Sequence, residues 1–94
     1  MIDKTKDIAE LLKVLANENR LSIVCHLLES PMTVSELHEK LNNLTQPALS
    51  QHLAILKMNK ILNSCKNGLV ITYSIQDDRI RNVIQVLKEN YCDR

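Results

Sequence analysis

The apolar residues at the start of the chain recur with the period of an α-helix. Four positions spaced i, i+3, i+4 and i+7 predict an amphipathic helix over residues 4–16. Those positions are Ile8, Leu11, Leu12 and Leu15. Asn17 is a candidate N-cap for a second helix that extends to about residue 29. Its apolar stripe comprises Leu21, Val24, Cys25 and Leu28. Because Ile23 and Leu27 make other sides apolar too, we expect this helix to be central and buried.

Two more helices are predicted before the middle of the chain ends. Thr33 and Glu36 have the spacing of a capping box, which opens a short third helix. Thr45 is well placed to cap a fourth helix with Pro47 in its first turn. The inward-facing residues are Val34, Leu37 and Leu41 in the third helix and Leu49, Leu53 and Leu56 in the fourth. A short helix, a tight turn and a capped helix form a helix-turn-helix.

After Asn59 the apolar pattern changes to that of β-strands. Residues 61–65 and 69–75 are β-rich runs around Lys66, Asn67 and Gly68, which predict a hairpin. Gly68 is the only glycine of the chain, and it stands where a positive φ is needed. Asp77 or Asp78 then caps a last helix that continues to about Tyr91. Its stripe comprises Ile80, Val83, Ile84, Leu87 and Tyr91.

These elements predict one domain over residues 1–94. The order α-α-α-α-β-β-α is mainly α with a small β-hairpin, and a hairpin directly after a helix-turn-helix makes it a winged helix-turn-helix. A chain of 94 residues buries only about 60–65% of its unfolded surface, so a partner subunit is a usual source of stability. Both the first and the last helix have apolar stripes that one domain cannot fully cover. We therefore expect a dimeric protein, a homodimer joined by these two helices.

The charges are distributed unevenly along the chain. Residues 1–39 carry seven acids and four bases, a net charge of −3. Residues 40–76 carry four lysines and no acid, a net charge of +4, and residues 77–94 carry four of each sign. This asymmetry is typical of a protein with a nucleic-acid-binding face.

Several protein classes are not expected. The chain does not begin with a basic stretch and an apolar run, and it contains no run of about 18 apolar residues, so neither a signal peptide nor a membrane span is predicted. Three cysteines, an odd number, indicate reduced thiols in a cytoplasmic protein rather than a disulfide framework. No Cys-x-x-Cys, glycine-rich loop or acid/base cluster accompanies a cysteine. An enzyme is therefore not expected, and no cofactor is predicted.

Three segments resemble the ArsR/SmtB family over roughly residues 8–92. LKVLANENRLSIV is similar to the opening of that family, LTQPALSQHLAILKMNKIL to its recognition helix and NGLVITYSI to its wing. The resemblance implies a dimeric repressor that leaves its operator when an inducer, often a metal ion, binds. ANENRLSIVCHLLES and LKENYC further resemble the thiol-sensing branch that includes the BigR, SqrR and HlyU regulators.

The fourth helix is the predicted DNA-reading element. Its polar side, opposite the leucines, would enter the major groove, where Gln pairs with adenine and Ser with several base edges. The resemblance implies DNA contact at Gln46, Pro47, Ser50 and Gln51, and Thr45 is included as the residue that begins this helix. Pro47 departs from the more usual polar residue, so its contact would be apolar at best.

Two lysines are expected to add phosphate contacts, whereas His52 is not expected to contact DNA. Lys57, further along the same side of the helix, and Lys66, at the expected tip of the wing, would contact phosphates. The expected partner is double-stranded DNA with an imperfect inverted repeat. His52 lies beside the apolar stripe, so we expect it to pack and to bond a neighbouring backbone group rather than DNA.

The resemblance implies that Cys25 and Cys92 form a thiol sensor for reactive sulfur or oxidants. By itself, Cys25 on an apolar stripe is typical of a structural residue. Cys92 lies near the end of a polar tail, and Lys88 one turn earlier would favour its thiolate, whereas Asp93 and the helix dipole oppose it. Cys65, in the first strand of the wing, is expected to have a structural or bystander role.

Two alternatives of the same fold remain open, together with one of a different class. A metal-responsive repressor could draw on Cys25, Cys92, His26 and His38. However, residues 33–41 contain no cysteine, the last helix contains no histidine, and no closed-site spacing occurs, so no metal site is predicted. A winged-helix regulator without an inducer site is the second alternative, and a winged-helix protein that binds only protein is the third.

Overall fold

A computed structural model describes residues 4–91, which form five helices and a small sheet. The helices are α1 (Thr5–Leu15), α2 (Glu18–Leu27), α3 (Val34–Lys40), α4 (Gln46–Met58) and α5 (Asp78–Tyr91), and the strands are β1 (Met32–Thr33), β2 (Leu62–Asn67) and β3 (Val70–Ile75). The predicted helix order and the hairpin are confirmed. Within residues 4–91, none of the helices combines the length and the apolar character needed to cross a membrane.

Side-chain caps begin the helices where the sequence predicted them. The Asn17 side chain accepts hydrogen bonds from the backbone N–H groups of Asn19 and Arg20, each at 3.0 Å. Thr33 and Glu36 form the complete capping box of α3. The Thr45 hydroxyl accepts from the Ala48 N–H at 3.2 Å, which starts α4 with Pro47 in its first turn. These short-range bonds satisfy backbone donors that a helix leaves open at its N-terminus.

The sheet contains a third strand that the apolar pattern did not predict. Its order is β1–β3–β2, all antiparallel, so β3 is the central strand. Met32 and Thr33 pair with Tyr73 and Thr72. A two-residue strand has no period of its own, so only its partner in β3 defines it.

The hairpin turns one residue later than the expected Lys66–Asn67–Gly68. Asn67 pairs with Val70, so Gly68 and Leu69 form the two-residue turn. Gly68 has a φ of +67°, at the first central position, as in a type II′ turn. Lys66 is consequently part of β2 and pairs with Ile71, so its prediction as the wing tip is wrong.

The core is aliphatic and lies where α2, α3 and α4 meet the sheet. Its members from the helix-turn-helix include Leu37, Leu41, Leu49, Leu53 and Leu56. In α2, the fully buried residues are Ile23, Val24 and Leu27, which confirms that this helix is central. The predicted stripe of α2 is only partly right, because Leu21, Cys25 and Leu28 are half-buried at the edge of the core. Helix α5 contributes Ile80 and Ile84.

Two helices retain apolar residues that the core does not cover. On α1, Ile8 and Leu12 are both 53% exposed. On α5, the exposed apolar residues are Val83, Val86, Leu87 and Tyr91. Val83 and Val86 lie on one flank of α5, whereas Leu87 and Tyr91 continue the stripe of the buried Ile80 and Ile84. The subunit therefore presents two apolar helix surfaces to solvent.

Asp77 caps α5, and its contribution to stability is expected to depend on pH. Its carboxylate accepts from the backbone N–H of Arg79 at 2.9 Å and from the guanidinium of the same residue. The side-chain bond with Arg79 is the main cause that lowers the pKa of Asp77 below 3.8. The folded protein thus binds this proton less readily than the unfolded chain does. The stabilisation is complete above pH 3.8 and is lost as the pH falls through the lowered pKa.

We expect Asp77→Ala to lower the free energy of unfolding by about 1 kcal/mol at neutral pH, because the cap is lost. The difference from the wild type should shrink in acid, as both chains then lack the charged cap. Urea unfolding at several pH values measures this difference. Asp78→Ala is the matched control, since that carboxylate makes only a 4.0 Å contact with Arg81. A difference that stayed constant below the lowered pKa would contradict this assignment.

Candidate nucleic-acid interface and thiol site

Helix α4 presents one buried and one exposed side. Leu49, Leu53 and Leu56 are essentially buried and anchor the helix on the core. The residues predicted to contact DNA are all exposed: Thr45, Gln46, Pro47, Ser50 and Gln51. A 13-residue helix held by its apolar side leaves polar amide and hydroxyl groups aimed at solvent. This geometry suits insertion of the polar side into a major groove.

A cleft of about 430 Å³ separates α4 from the wing. Its lining residues are Thr33, Val34, Ser35, Gln46, Ser50, Leu69, Val70 and Ile71. The polar side of α4 and the end of the wing therefore border the same concave surface. Leu69 at the tip of the wing is 97% exposed. Leu69 was not predicted as part of this surface, because an apolar residue within a β-rich run is typical of a strand rather than of a turn.

Both lysines predicted to contact phosphates are exposed, and they lie on different elements. Lys57 is in the last turn of α4. Lys66 lies in β2, one residue pair away from the pair that closes the turn. Lys40 and Lys60 are exposed as well, so every lysine of the positive segment is available to an anionic partner. Lys60 follows α4 with a φ of +63°, which is uncommon for a residue other than glycine.

His52 is half-buried beside the apolar stripe as predicted, but its partner is a side chain. The Nη1 atom of Arg20 lies 3.5 Å from His52 Nδ1. Arg20 also donates from Nε to the carbonyl oxygen of Val14 at 2.7 Å. The predicted bond from His52 to a neighbouring backbone group is therefore wrong. Its partner, Arg20, belongs to α2 and is 32 residues away in the sequence, so local sequence patterns could not predict this contact.

Cys25 lies where α2 faces the C-terminal half of α5. It is half-buried and borders two adjoining clefts of about 430 and 270 Å³. The first is lined by Glu18, Leu21, Ser22, Cys25, His26, Glu29 and Lys88. The second is lined by Leu21, Cys25, Ile84, Leu87, Lys88 and Tyr91. Cys92, the other predicted sensor residue, lies outside the described residues.

An ion pair joins the two helices beside Cys25. Lys88 Nζ lies 3.3 Å from Glu29 Oε2, although 59 residues separate them. Lys88 was predicted to stabilise the Cys92 thiolate. The carboxylate of Glu29 would compete with that thiolate for the lysine ammonium group. Burial lowers the pKa of His26 in the same cleft, and Lys40 and Lys88 lower it further, while Glu29 opposes them. His26 is consequently held toward its neutral form.

Cys65 is separate from this site. It is exposed in β2, where it pairs with Thr72. Within residues 4–91, no group of three or more His, Cys, Asp or Glu side chains is arranged to hold a metal ion. Among the described cysteines, only Cys25 borders a cleft formed between two helices.

A helix-turn-helix whose second helix exposes a polar side next to a β-hairpin defines a winged-helix DNA-binding protein. The profile described as bacterial regulatory protein, arsR family, matches residues 17–64. The transcriptional activator HlyU of Vibrio cholerae is 40% identical over 82 residues, covering 87% of this chain and 75% of that protein. The biofilm growth-associated repressor of Agrobacterium fabrum is 33% identical, covering 98% and 78%. The chain belongs to the arsR family and is a DNA-binding transcriptional regulator rather than an enzyme.

Solved structures agree with this assignment. HlyU from Vibrio cholerae N16961 has a TM-score of 0.91 at 37% identity, covering 98% of this chain and 99% of that chain. A second structure, described as reduced HlyU, has a TM-score of 0.87 at the same identity and coverage. The transcriptional repressor BigR from Xylella fastidiosa has a TM-score of 0.89 at 30% identity, covering 100% and 95%. The winged-helix fold predicted from the sequence is confirmed.

Proposed function

We propose that this regulator is a repressor that binds an imperfect inverted repeat of double-stranded DNA as a homodimer. The observation that carries the proposal is the shared concave surface between the exposed side of α4 and the wing. It holds Gln46 and Ser50, and the surrounding segment of residues 40–76 has a net charge of +4 from four lysines. Amide and hydroxyl groups read base edges, and the lysines neutralise phosphates.

The uncovered apolar surfaces of α1 and α5 support the homodimer. Ile8 and Leu12 on α1 and Val83 and Val86 on α5 are about half exposed in the single subunit. Burying apolar surface is favourable by about 25 cal/mol per Å². A two-fold pair of subunits that covers these surfaces would carry two α4 helices related by the same two-fold axis. Symmetric dimers read symmetric DNA, hence the inverted repeat.

The proposed groove contacts predict two different mutant phenotypes. Gln51→Ala should weaken operator binding by about 1–3 kcal/mol and relax base choice, because a base contact is lost. Lys66→Ala should weaken all sequences alike and flatten the dependence of affinity on salt, because only a phosphate contact is lost. Titration of each variant with operator and random duplexes at several salt concentrations separates these effects. Identical behaviour of both variants across sequences would contradict the groove assignment.

The same titration tests the general proposal. A winged-helix protein that binds only protein would shift neither duplex at low salt. A DNA-binding regulator should bind random duplex weakly at low salt and a selected operator tightly. The operator can be selected from a random duplex library with the purified protein.

We also propose that Cys25 and Cys92 form a thiol switch for reactive sulfur. Cys25 borders a cleft that Tyr91 lines, and Cys92 is the next residue in the chain. That one structure of the Vibrio cholerae relative is described as reduced HlyU is compatible with a redox-dependent protein.

The chemistry requires only the two thiols and a sulfane-sulfur donor. The Cys25 thiolate attacks the sulfane sulfur of a hydropersulfide, the donor's S–S bond breaks, and a low-molecular-weight thiol leaves. The Cys92 thiolate then attacks the protein persulfide and releases hydrogen sulfide. Two protein thiols are oxidised to a disulfide, and the sulfane sulfur is reduced. The new bond would tie α5 to α2 and alter the arrangement of the dimer.

A further inference from the structure

We infer that Arg20 positions α4 relative to the end of α1 and thereby sets the half-site spacing that the dimer accepts. The inference rests on the proposed binding of an inverted repeat by a homodimer. It concerns a residue outside both the DNA-contacting set and the thiol site.

The guanidinium of Arg20 bridges α1 and α4, and its first contact is with α1. Arg20 Nε donates to the Val14 carbonyl at 2.7 Å, a short bond for a charged donor. Val14 belongs to the last turn of α1, where carbonyls lack donors from their own helix and where a cation favours the helix dipole. The backbone N–H of Arg20 is held by the Asn17 side chain at 3.0 Å. The backbone of Arg20, from which the guanidinium extends, is therefore held in place at the start of α2.

The second contact of the guanidinium is with α4. Arg20 Nη1 lies 3.5 Å from Nδ1 of His52, the residue directly after Gln51 and before the buried Leu53. An arginine side chain can only donate, so this contact uses Nδ1 of His52 as the acceptor. The guanidinium of Arg20 thus contacts both Val14, 6 positions earlier in the chain, and His52, 32 positions later.

The two joined helices have different roles in the proposed dimer. Helix α1 carries Ile8 and Leu12 on the surface proposed to meet the partner subunit, and α4 carries the groove contacts. In a two-fold dimer, the distance between the two α4 helices depends on how α1 and α4 are arranged within each subunit. One base pair adds about 3.4 Å along the duplex and about 35° of rotation between the half-sites, so both the distance between the two α4 helices and their relative orientation must match the spacing.

Operators that differ only in half-site spacing provide the test. An operator selected with the wild type is lengthened or shortened by one base pair at its centre, and the Kd of each duplex is measured. The wild type should lose affinity about 5-fold or more for each change, the size of a typical mismatch. Arg20→Gln should bind the selected operator more weakly and discriminate less than about 3-fold between the spacings. His52→Ala should flatten the preference as well, and the double variant should add nothing further.

Lys13→Gln is the matched control. Lys13 is an exposed cation in the last turn of α1, so this substitution removes the same charge beside the same helix end without breaking the contact between α1 and α4. The control should keep the wild-type spacing preference. A folded Arg20→Gln that kept this preference, or a Lys13→Gln that lost it, would overturn the inference.

Two further outcomes are also decisive. If Arg20→Gln fails to melt cooperatively, His52→Ala decides alone, because it leaves the bond from Arg20 to Val14 intact. A wild type that tolerates every spacing equally would overturn the proposed dimeric reading and this inference with it.

Discussion

A polysulfide or other sulfane-sulfur donor is expected to release the reduced protein from its operator. The affinity should fall about 5- to 150-fold, which corresponds to about 1–3 kcal/mol of coupling between the thiol site and the DNA surface. The physical reason is that a bond between Cys25 and Cys92 would restrain α5, which carries part of the proposed dimer surface. Fluorescence anisotropy of a labelled operator measures the release, and intact mass identifies the bond that has formed.

Serine variants assign the effect to particular thiols. Cys25→Ser and Cys92→Ser should each fold, bind the operator and fail to respond to the donor. Cys65→Ser is the control, since this exposed thiol lies in β2, away from the helices of the switch. If one equivalent of zinc released the operator while the polysulfide-treated protein stayed bound, the metal-responsive alternative would replace the thiol switch. If neither reagent acted, the regulator without an inducer site would be the correct description.

Val83→Glu is expected to abolish the homodimer and to reduce operator affinity by about 100-fold or more. Val83 is 49% exposed on the apolar side of α5, and a charge buried there would lack a partner. A monomer also loses the second half-site contact, and linked binding events gain about 10²- to 10⁴-fold over single ones. Sedimentation at micromolar concentration reports the assembly, and operator titration reports the affinity.

Gln85→Glu provides the matched control for this experiment. It introduces the same side chain at an exposed position of the same helix, about 160° around the helix axis from Val83. We expect it to remain a dimer with nearly unchanged affinity. A dimeric Val83→Glu with full operator affinity would show that α5 is not part of the subunit contact.

Much of the fold was predictable because it depends on short-range chemistry. Asn17, Thr33 and Thr45 cap helices through bonds to residues no more than three positions away. The leucines of α4 have a period that defines one buried side without knowledge of what covers it. For the same reason, the exposed polar side of α4 was predicted residue by residue.

The features that were missed depend on partners that are distant in the sequence. The pairing of β1 is defined by β3, and the bridge from Arg20 to His52 spans 32 residues. The ion pair of Lys88 with Glu29 spans 59 residues. The turn was misplaced by one residue because Asn67 and Gly68 are both turn residues, and cross-strand pairing decides between them.

The short strand β1 divides the wing into two mechanically different parts. Tyr73 and Thr72 in β3 are paired on both sides, with β1 and with β2, whereas Val70 and Ile71 have only β2 as a partner. The outer part is therefore a two-stranded ribbon, a structure of marginal intrinsic stability, attached to a three-stranded base. Thr33 is both the last residue of β1 and the cap of α3, so this base is continuous with the helix-turn-helix. The three-stranded base of the wing therefore moves together with α3. Its two-stranded outer end can bend at low energetic cost and so follow the local shape of a duplex.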